Sequence, residues 1–404
     1  MKKIIILFFV FAPPLLFAQN STVLWRNNRT GIYQEGGLLT SWPQGGPKLL
    51  WSFNGLGEGH TSVAIDNNKI YITGLTGDKG FLYVFDLLGK LLHKKGYGTE
   101  WNKSHNGSRS TVTIHQGKLY IYSGTGNLVC LDQNSLELLW QKNIEKDFGG
   151  KNIMWGVSES PLIVNEKIIL SPGGKINNIV AIDKNNGALV WTCAGDGDLS
   201  SYCSPIYISD QKIPQIVTMM ASHIVGIDVA SGKKLWSYKY ENFRKIHPNT
   251  PIYHNNMIFC TSGYGKGSIM LRFSNGSQNV EKVWETKDLE PCHGGAVKIG
   301  EYIYGSGDHN KYWFCLEWET GTTKYKERGF DVGNVIFADG MLYCYNQKGE
   351  MALVSPNPAK FNIVSKFKIQ MGDGPHWAHP VIHRGVLYVR HGDALMAYQI
   401  SKGE

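Results

Sequence analysis

Three times in this chain an aspartate closing an apolar run is followed eight residues later by a tryptophan: Asp132 and Trp140, Asp183 and Trp191, Asp228 and Trp236. Glu317 and Tyr325 repeat the spacing with a weaker aromatic. Between Ser110 and Trp140 the sequence reads STVTIHQGKLYIYSGTGNLVCLDQNSLELLW, with Gln116-Gly117 and Gly124-Thr125-Gly126 separating short runs rich in β-branched and aromatic residues. Runs this short are strands, and glycine supplies the positive φ that their hairpins need. Each copy is therefore a four-stranded antiparallel meander. The starts of the meanders recur as well: Thr61-Ser62-Val63, Ser110-Thr111-Val112, Ser160-Pro161-Leu162, Ser204-Pro205-Ile206, Thr250-Pro251-Ile252, Gly294-Gly295-Ala296, Gly333-Asn334-Val335 and His379-Pro380-Val381. They lie about 40–50 residues apart, the period of a β-propeller.

The last start leaves room for three strands only, HPVIH, VLYVR and ALMAYQI, while PKLLWSF, ending near Trp51, stands alone ahead of the first. Joining the two ends completes an eighth sheet and removes the open edge that would invite aggregation. The predicted fold is all-β: an eight-bladed propeller of four-stranded antiparallel blades, closed by its N-terminal strand and expected as a monomer.

Residues 1–18 combine Lys2 and Lys3, a short apolar run and a small residue, Ala18, the pattern of a secretory signal peptide. Residues 19–46 are predicted as an ordered extension lying over one face, and 47–404 as the propeller. The expected location is periplasmic or secreted, with no membrane span once the signal is removed. The net charge of +8 is dispersed among turns such as Gly232-Lys233-Lys234, without the basic stripe a nucleic-acid partner requires. Of the seven cysteines, Cys130, Cys260, Cys315 and Cys344 sit inside apolar strands as small core residues; Cys193 with Cys203 is the candidate disulfide.

Short turns, such as Asn67-Asn68, Gln116-Gly117 and Asn165-Glu166, emerge on one face of an up-and-down sheet, and the longer, more varied connections on the other, where binding usually lives. Residues just before each start then ring the channel mouth: His60, His105, Arg109, Trp155, Glu159, Tyr202, His247, Asn249, His293, Asp331, Asn334, His376, Trp377 and His379. Tryptophan stacks, arginine pairs with carboxylates and histidine moves protons near neutral pH, so this set suits a polar, partly planar ligand. His376 and His379, with His60 or His293 across the ring, form a candidate metal set.

The units AIDKNNGALVW and GIDVASGKKLW resemble the tryptophan-docking repeats of the pyrroloquinoline quinone (PQQ)-like β-propeller family. The resemblance runs from about the closing strand to the C-terminus and implies the fold and an exported compartment. That family includes quinoprotein alcohol dehydrogenases, which bind PQQ and calcium on the axis, and assembly scaffolds of the BamB type, which bind no quinone. The opening WRNNRTGIYQEGGLLTSWPQGGPKLLW resembles short exported members described as polyvinyl-alcohol-dehydrogenase-like. The adjacent cysteine pair of the dehydrogenases and the lipoprotein cysteine of the scaffold are both missing here. Three functions follow. One is an exported binding protein holding a small-molecule or carbohydrate ligand, or an envelope protein, on the channel face. The second is a PQQ-dependent alcohol or sugar dehydrogenase, with Glu159 or Asp331 and a ring histidine beside the cofactor. The third is a metal-assisted polysaccharide lyase using the ring histidines.

Overall fold

The computed structural model describes residues 24–293 and 295–402, so the segment read as a signal peptide lies outside it. Eight sheets stand around an axis, and within blades 1 to 7 the four strands of each meander pair antiparallel with their sequence neighbours. Blades 1 to 7 span residues 64–99, 113–143, 162–193, 206–239, 252–286, 296–327 and 333–368. In blade 8, Leu49–Asn54 pairs antiparallel with Ala394–Gln399, placing Trp51 opposite Ala397, and the ring closes as the sequence predicts. Buried side chains from adjacent blades form the core between sheets, as in the cluster of Val112, Leu119 and Val129 with Tyr71 and Val84. All seven cysteines are free, Cys193 and Cys203 included. Among the described residues no helix is long and apolar enough to cross a membrane.

The repeated aspartates cap turns. Asp132 Oδ1 accepts from the amides of Asn134 and Ser135, Asp183 Oδ1 from Asn185, and Asp228 Oδ1 from Ala230. The repeated tryptophans tie one blade to the next. Indole Nε1 of Trp51, Trp140, Trp191 and Trp284 donates to the carbonyls of Leu87, Lys184, Val229 and Trp318 across the seam. The rings lie on Gly89, Gly187, Gly232 and Gly321, where an added Cβ would stand 2.4–3.0 Å from the indole. Trp236 departs from the pattern and bonds Gln215 of its own blade at 2.7 Å.

The starts of the blades are joined by polar bonds around the axis. The amide of Ser62 donates to Thr111 Oγ1, that of Thr111 to Ser160 Oγ, and that of Ser160 to Ser204 Oγ. Cys203 Sγ–H then donates to Asn249 O, Asn249 Nδ2 to Pro291 O, and Ser306 Oγ to Gly333 O. Asn334 Nδ2 donates to the carbonyls of Trp377 and Ala378, and Ser62 Oγ donates to His379 O, which returns the chain of bonds to blade 1. Ser62, Thr111, Ser160 and Ser204 of the repeated starts are thus seam residues.

One expectation is corrected. The first part of the extension does not lie over a face; residues 25–33 run through the channel, and only the part after it passes along blade 8. Ile32–Tyr33 adds as a parallel fifth strand on the axial side of blade 7, pairing with Phe337 and Ala338. Arg26 donates to Val335 O and Ala296 O, while Arg29 donates to Ser160 O and Pro161 O on the opposite side of the ring. Burial pushes both guanidinium groups down to about 10, which leaves them cationic at neutral pH. Their desolvation is offset by charge-assisted bonds to carbonyls that the inner strands would otherwise turn to water. Beyond the channel, Glu35 accepts from Arg384 N, Leu39 N donates to Ile400 O, and Trp42 is buried against Tyr343 and Phe367 before the closing strand begins. Position, not composition, explains the correction: polar residues in a short Gly/Asn-rich segment read as surface, but here they satisfy inward carbonyls.

Two glycines test the seam contact. Gly232 has φ +76° and its Cβ would meet the Trp191 ring at 2.7 Å; Gly77 has φ +67° and open space around it. Gly77→Ala should cost about 1 kcal/mol, the left-handed strain alone, and Gly232→Ala about 2–4 kcal/mol, strain plus overpacking. Urea melts of the two variants check the difference.

Candidate binding cavity

A cavity of about 260 Å³ opens at the channel mouth on the face of the long connections. Trp25, His60, His105, Arg109, Trp155, Ser158, Tyr202, Ser204, Ile246, Pro248, Tyr264, Cys292, His293, Trp377 and His379 line it. Trp25 belongs to the axial thread, which closes the channel beneath and makes the mouth a blind pocket. Its ring meets His379 edge-on at 5.3 Å.

Trp377 is the centre of the wall. Its indole stacks on the His293 imidazole at 4.5 Å and 9°, with His60 at 5.0 Å and His105 at 5.2 Å. Trp155 meets His105 edge-on at 5.7 Å, and its amide donates to Tyr202 Oη. His379 is fixed from both sides: Arg26 donates to Nδ1 at 2.8 Å, so Nε2 carries the proton and donates to His293 O at 2.8 Å. Burial, then Arg109, Arg390 and His293, push His60 down to about 3. A backbone hydrogen bond at Asn106 acts the other way on His60, while His293 Nδ1 and Arg109 Nε have no hydrogen-bond partner. Burial lowers Arg109 to about 10, with Tyr202 and Glu100 acting the other way. No aspartate or glutamate lines the cavity.

Of the residues that the sequence places at the channel mouth, His60, His105, Arg109, Trp155, Tyr202, His293, Trp377 and His379 come together here. The others do not. His247 is fully buried, its nitrogens bonded to Ser262 Oγ and Ala221 O. Asn249 spans a seam, donating to Thr261 O and Pro291 O and accepting from Gly295 N. Glu159 is buried behind the wall, accepting from Ser171 N. Asp331 caps its own turn through Val332 N. Asn334 is used by Trp377 O and Ala378 O. His376 turns away to stack on His391 at 3.6 Å and bond Tyr345. Sequence reading missed Trp25, Ser158, Ser204, Ile246, Pro248, Tyr264 and Cys292. Ser158, Ser204, Ile246, Pro248 and Cys292 sit within a residue or two of residues named above, and that proximity was the available signal. Trp25 had none, because nothing in its neighbours marks the thread.

The histidines do not converge on a metal: His376 and His379 point apart, and no group of three or more potential ligands is found among the described residues. A calcium-linked quinone does not fit either. Calcium takes oxygen ligands, whereas this wall offers nitrogen donors and no carboxylate, and Glu159 and Asp331 lie outside it.

Residues 78–327 match the family model described as "Outer membrane protein assembly factor BamB". Tetrathionate hydrolase of Acidithiobacillus ferrooxidans is 23% identical over 275 residues, 63% of this chain and 51% of that protein. An uncharacterised protein of Rickettsia conorii is 24% identical over 194 residues, 45% of this chain and 44% of that one. The chain spans about half the length of these curated relatives. Among solved structures, BamB from Moraxella catarrhalis superposes with TM-score 0.65 at 13% identity, over 88% of this chain and 98% of that one. Quinohemoprotein alcohol dehydrogenase from Comamonas testosteroni gives 0.68 at 10% identity, over 95% and 81%. At such identities the two structures share the fold.

Two outcomes follow from the titrations and the corrected placements. His247, His376 and His383 are pushed down to about 4 by burial, His60 to about 3, and His379 well below its usual value. Each binds a proton more readily unfolded, so the stability they contribute is full above about 6.5 and is lost as pH falls toward 4. Glu159, raised to about 8 by burial, Glu145, raised to about 7, and Glu100, also raised, act oppositely, stabilising less as pH rises above about 4.5, but they are three groups against eight, since burial lowers His115, His254 and His293 as well. Melting temperature should therefore fall between pH 7 and pH 5, with net uptake of several protons on unfolding, measured by calorimetry in buffers of different ionisation enthalpy. Asn249→Ala, which strands two carbonyls and an amide, should cost about 2–4 kcal/mol and leave the cavity's tryptophan fluorescence unchanged.

Proposed function

Because this chain belongs to the family described as outer membrane protein assembly factor BamB, we propose that it is an exported binding protein whose axial cavity holds a small ligand. The observation that carries this reading is the blind pocket itself: a propeller channel sealed from below by the chain's own N-terminal thread and walled above by Trp25, Trp155 and Trp377. A pocket of about 260 Å³ is just below the usual range of small-molecule sites, about 300–1,000 Å³, so the ligand is small. Trp377, backed by the stacked His293 ring, is a rigid aromatic surface, and the imidazoles of His60 and His293 beside it orient what lies on it. The dehydrogenase and lyase readings each lack the groups they call for: among the described residues no carboxylate lines the cavity, and the histidines do not assemble a metal site.

A second reading, a scaffold for another envelope protein, is supported by the family description and by superposition over nearly all of the Moraxella catarrhalis protein. It needs the outer surface and not the pocket.

Thermal melts against a library of small organic acids, sugars and amines separate the two. A pocket ligand at one hundred times its Kd should stabilise by about 2.7 kcal/mol, and Trp377→Leu should abolish that shift. If no compound shifts the wild-type protein, and Trp377→Leu retains every envelope protein that cross-links to the wild type, the scaffold reading replaces the pocket. Export predicts a periplasmic or secreted protein beginning at Gln19, which N-terminal sequencing of the fractionated protein checks.

A further inference from the structure

We infer that the axial cavity selects an anion: a carboxylate, sulfonate or related oxyanion carried on a small planar body. The inference rests on the ligand-binding reading above and narrows it.

The wall contains one permanent cation, Arg109, four imidazoles and no carboxylate. The acids behind the wall are already engaged, Glu159 by Ser171 N. Glu100 accepts from Tyr97 Oη, Trp101 N and Gly124 N. Asp308 accepts from Cys292 N and Gln347 Nε2. A cationic ligand would therefore enter beside a guanidinium with no counter-charge, losing its hydration without replacement.

The donors, by contrast, await an acceptor. Arg109 donates through one terminal nitrogen to His105 O, but its Nε is buried and unpartnered, and the neutral rings of His60 and His293 each carry a single N–H beside one lone pair. A buried polar atom without a partner costs about 1–3 kcal/mol. Several on one wall are tolerable where a ligand brings the missing acceptors. An anion supplies an acceptor together with negative charge on the cavity side of Arg109, where no carboxylate lies, and charge-assisted bonds are about twice as strong as neutral ones. The aromatic faces of Trp25, Trp155 and Trp377 account for the planar part.

Three compounds of one shape test this: benzenesulfonate, uncharged benzenesulfonamide and benzyltrimethylammonium. Titration calorimetry and tryptophan quenching at millimolar concentration should show benzenesulfonate binding at least about tenfold tighter than the sulfonamide, a difference of about 1.4 kcal/mol, and no binding of the ammonium. Arg109→Gln and His60→Gln, each with a melting temperature near wild type, should erase the preference for the sulfonate. If the sulfonamide or the ammonium binds as tightly as the sulfonate, and Trp377→Leu abolishes that binding, the anion inference fails and the pocket reading stands. If no compound binds, or Trp377→Leu leaves binding intact, both fail.

Discussion

The hydrogen-bonded ring at the start of the blades is the constraint on which the rest of this structure depends. At or beside the start of the inner strands, polar groups reach from blade to blade, through Ser62, Thr111, Ser160, Ser204, Cys203, Asn249, Ser306 and Asn334 and back by way of His379 O. Blade packing is otherwise apolar and non-directional, and apolar surfaces tolerate sliding. Directional bonds near the axis fix the rotation of each blade about the channel, and so the positions of the loops that leave those strands. The cavity wall is built from the residues immediately before these anchors.

The axial thread adds a second fixed reference. Arg26 bonds blades 6 and 7 and, through His379, the entrance to blade 8; Arg29 bonds the entrance to blade 3. One buried cation thus sets the tautomer of His379, which holds the carbonyl of His293, whose ring backs Trp377. The pocket wall is coupled to the channel filling through three side chains and one carbonyl.

The fold was legible in the sequence because its repeating parts are local. An aspartate that caps a turn, a glycine with positive φ and a tryptophan that docks on the following blade's glycine occur at a constant spacing, and Asp183–Trp191 states all of them in one short segment. The closing strand was legible by count. The thread was not, since its partners are carbonyls hundreds of residues away and a backbone acceptor leaves no mark in a sequence. The site was legible in part for a related reason. Period gives the height of a residue along the axis but not the direction of its side chain, so His60 and His293 entered the cavity while His247 and His376, at similar heights, turned into seams.

Blade 8 is assembled from the two ends of the described chain, Leu49–Asn54 and Ala394–Gln399, and the segment leading to its first strand passes down the axis. During synthesis the earliest of these residues emerge with no partner available until the final hairpin has left the ribosome. The ring must then gather around a strand already in place, or admit it before the last seam shuts. Either route makes the completion of the circle and the filling of its centre one cooperative event, with the beginning of the polypeptide serving as the keystone.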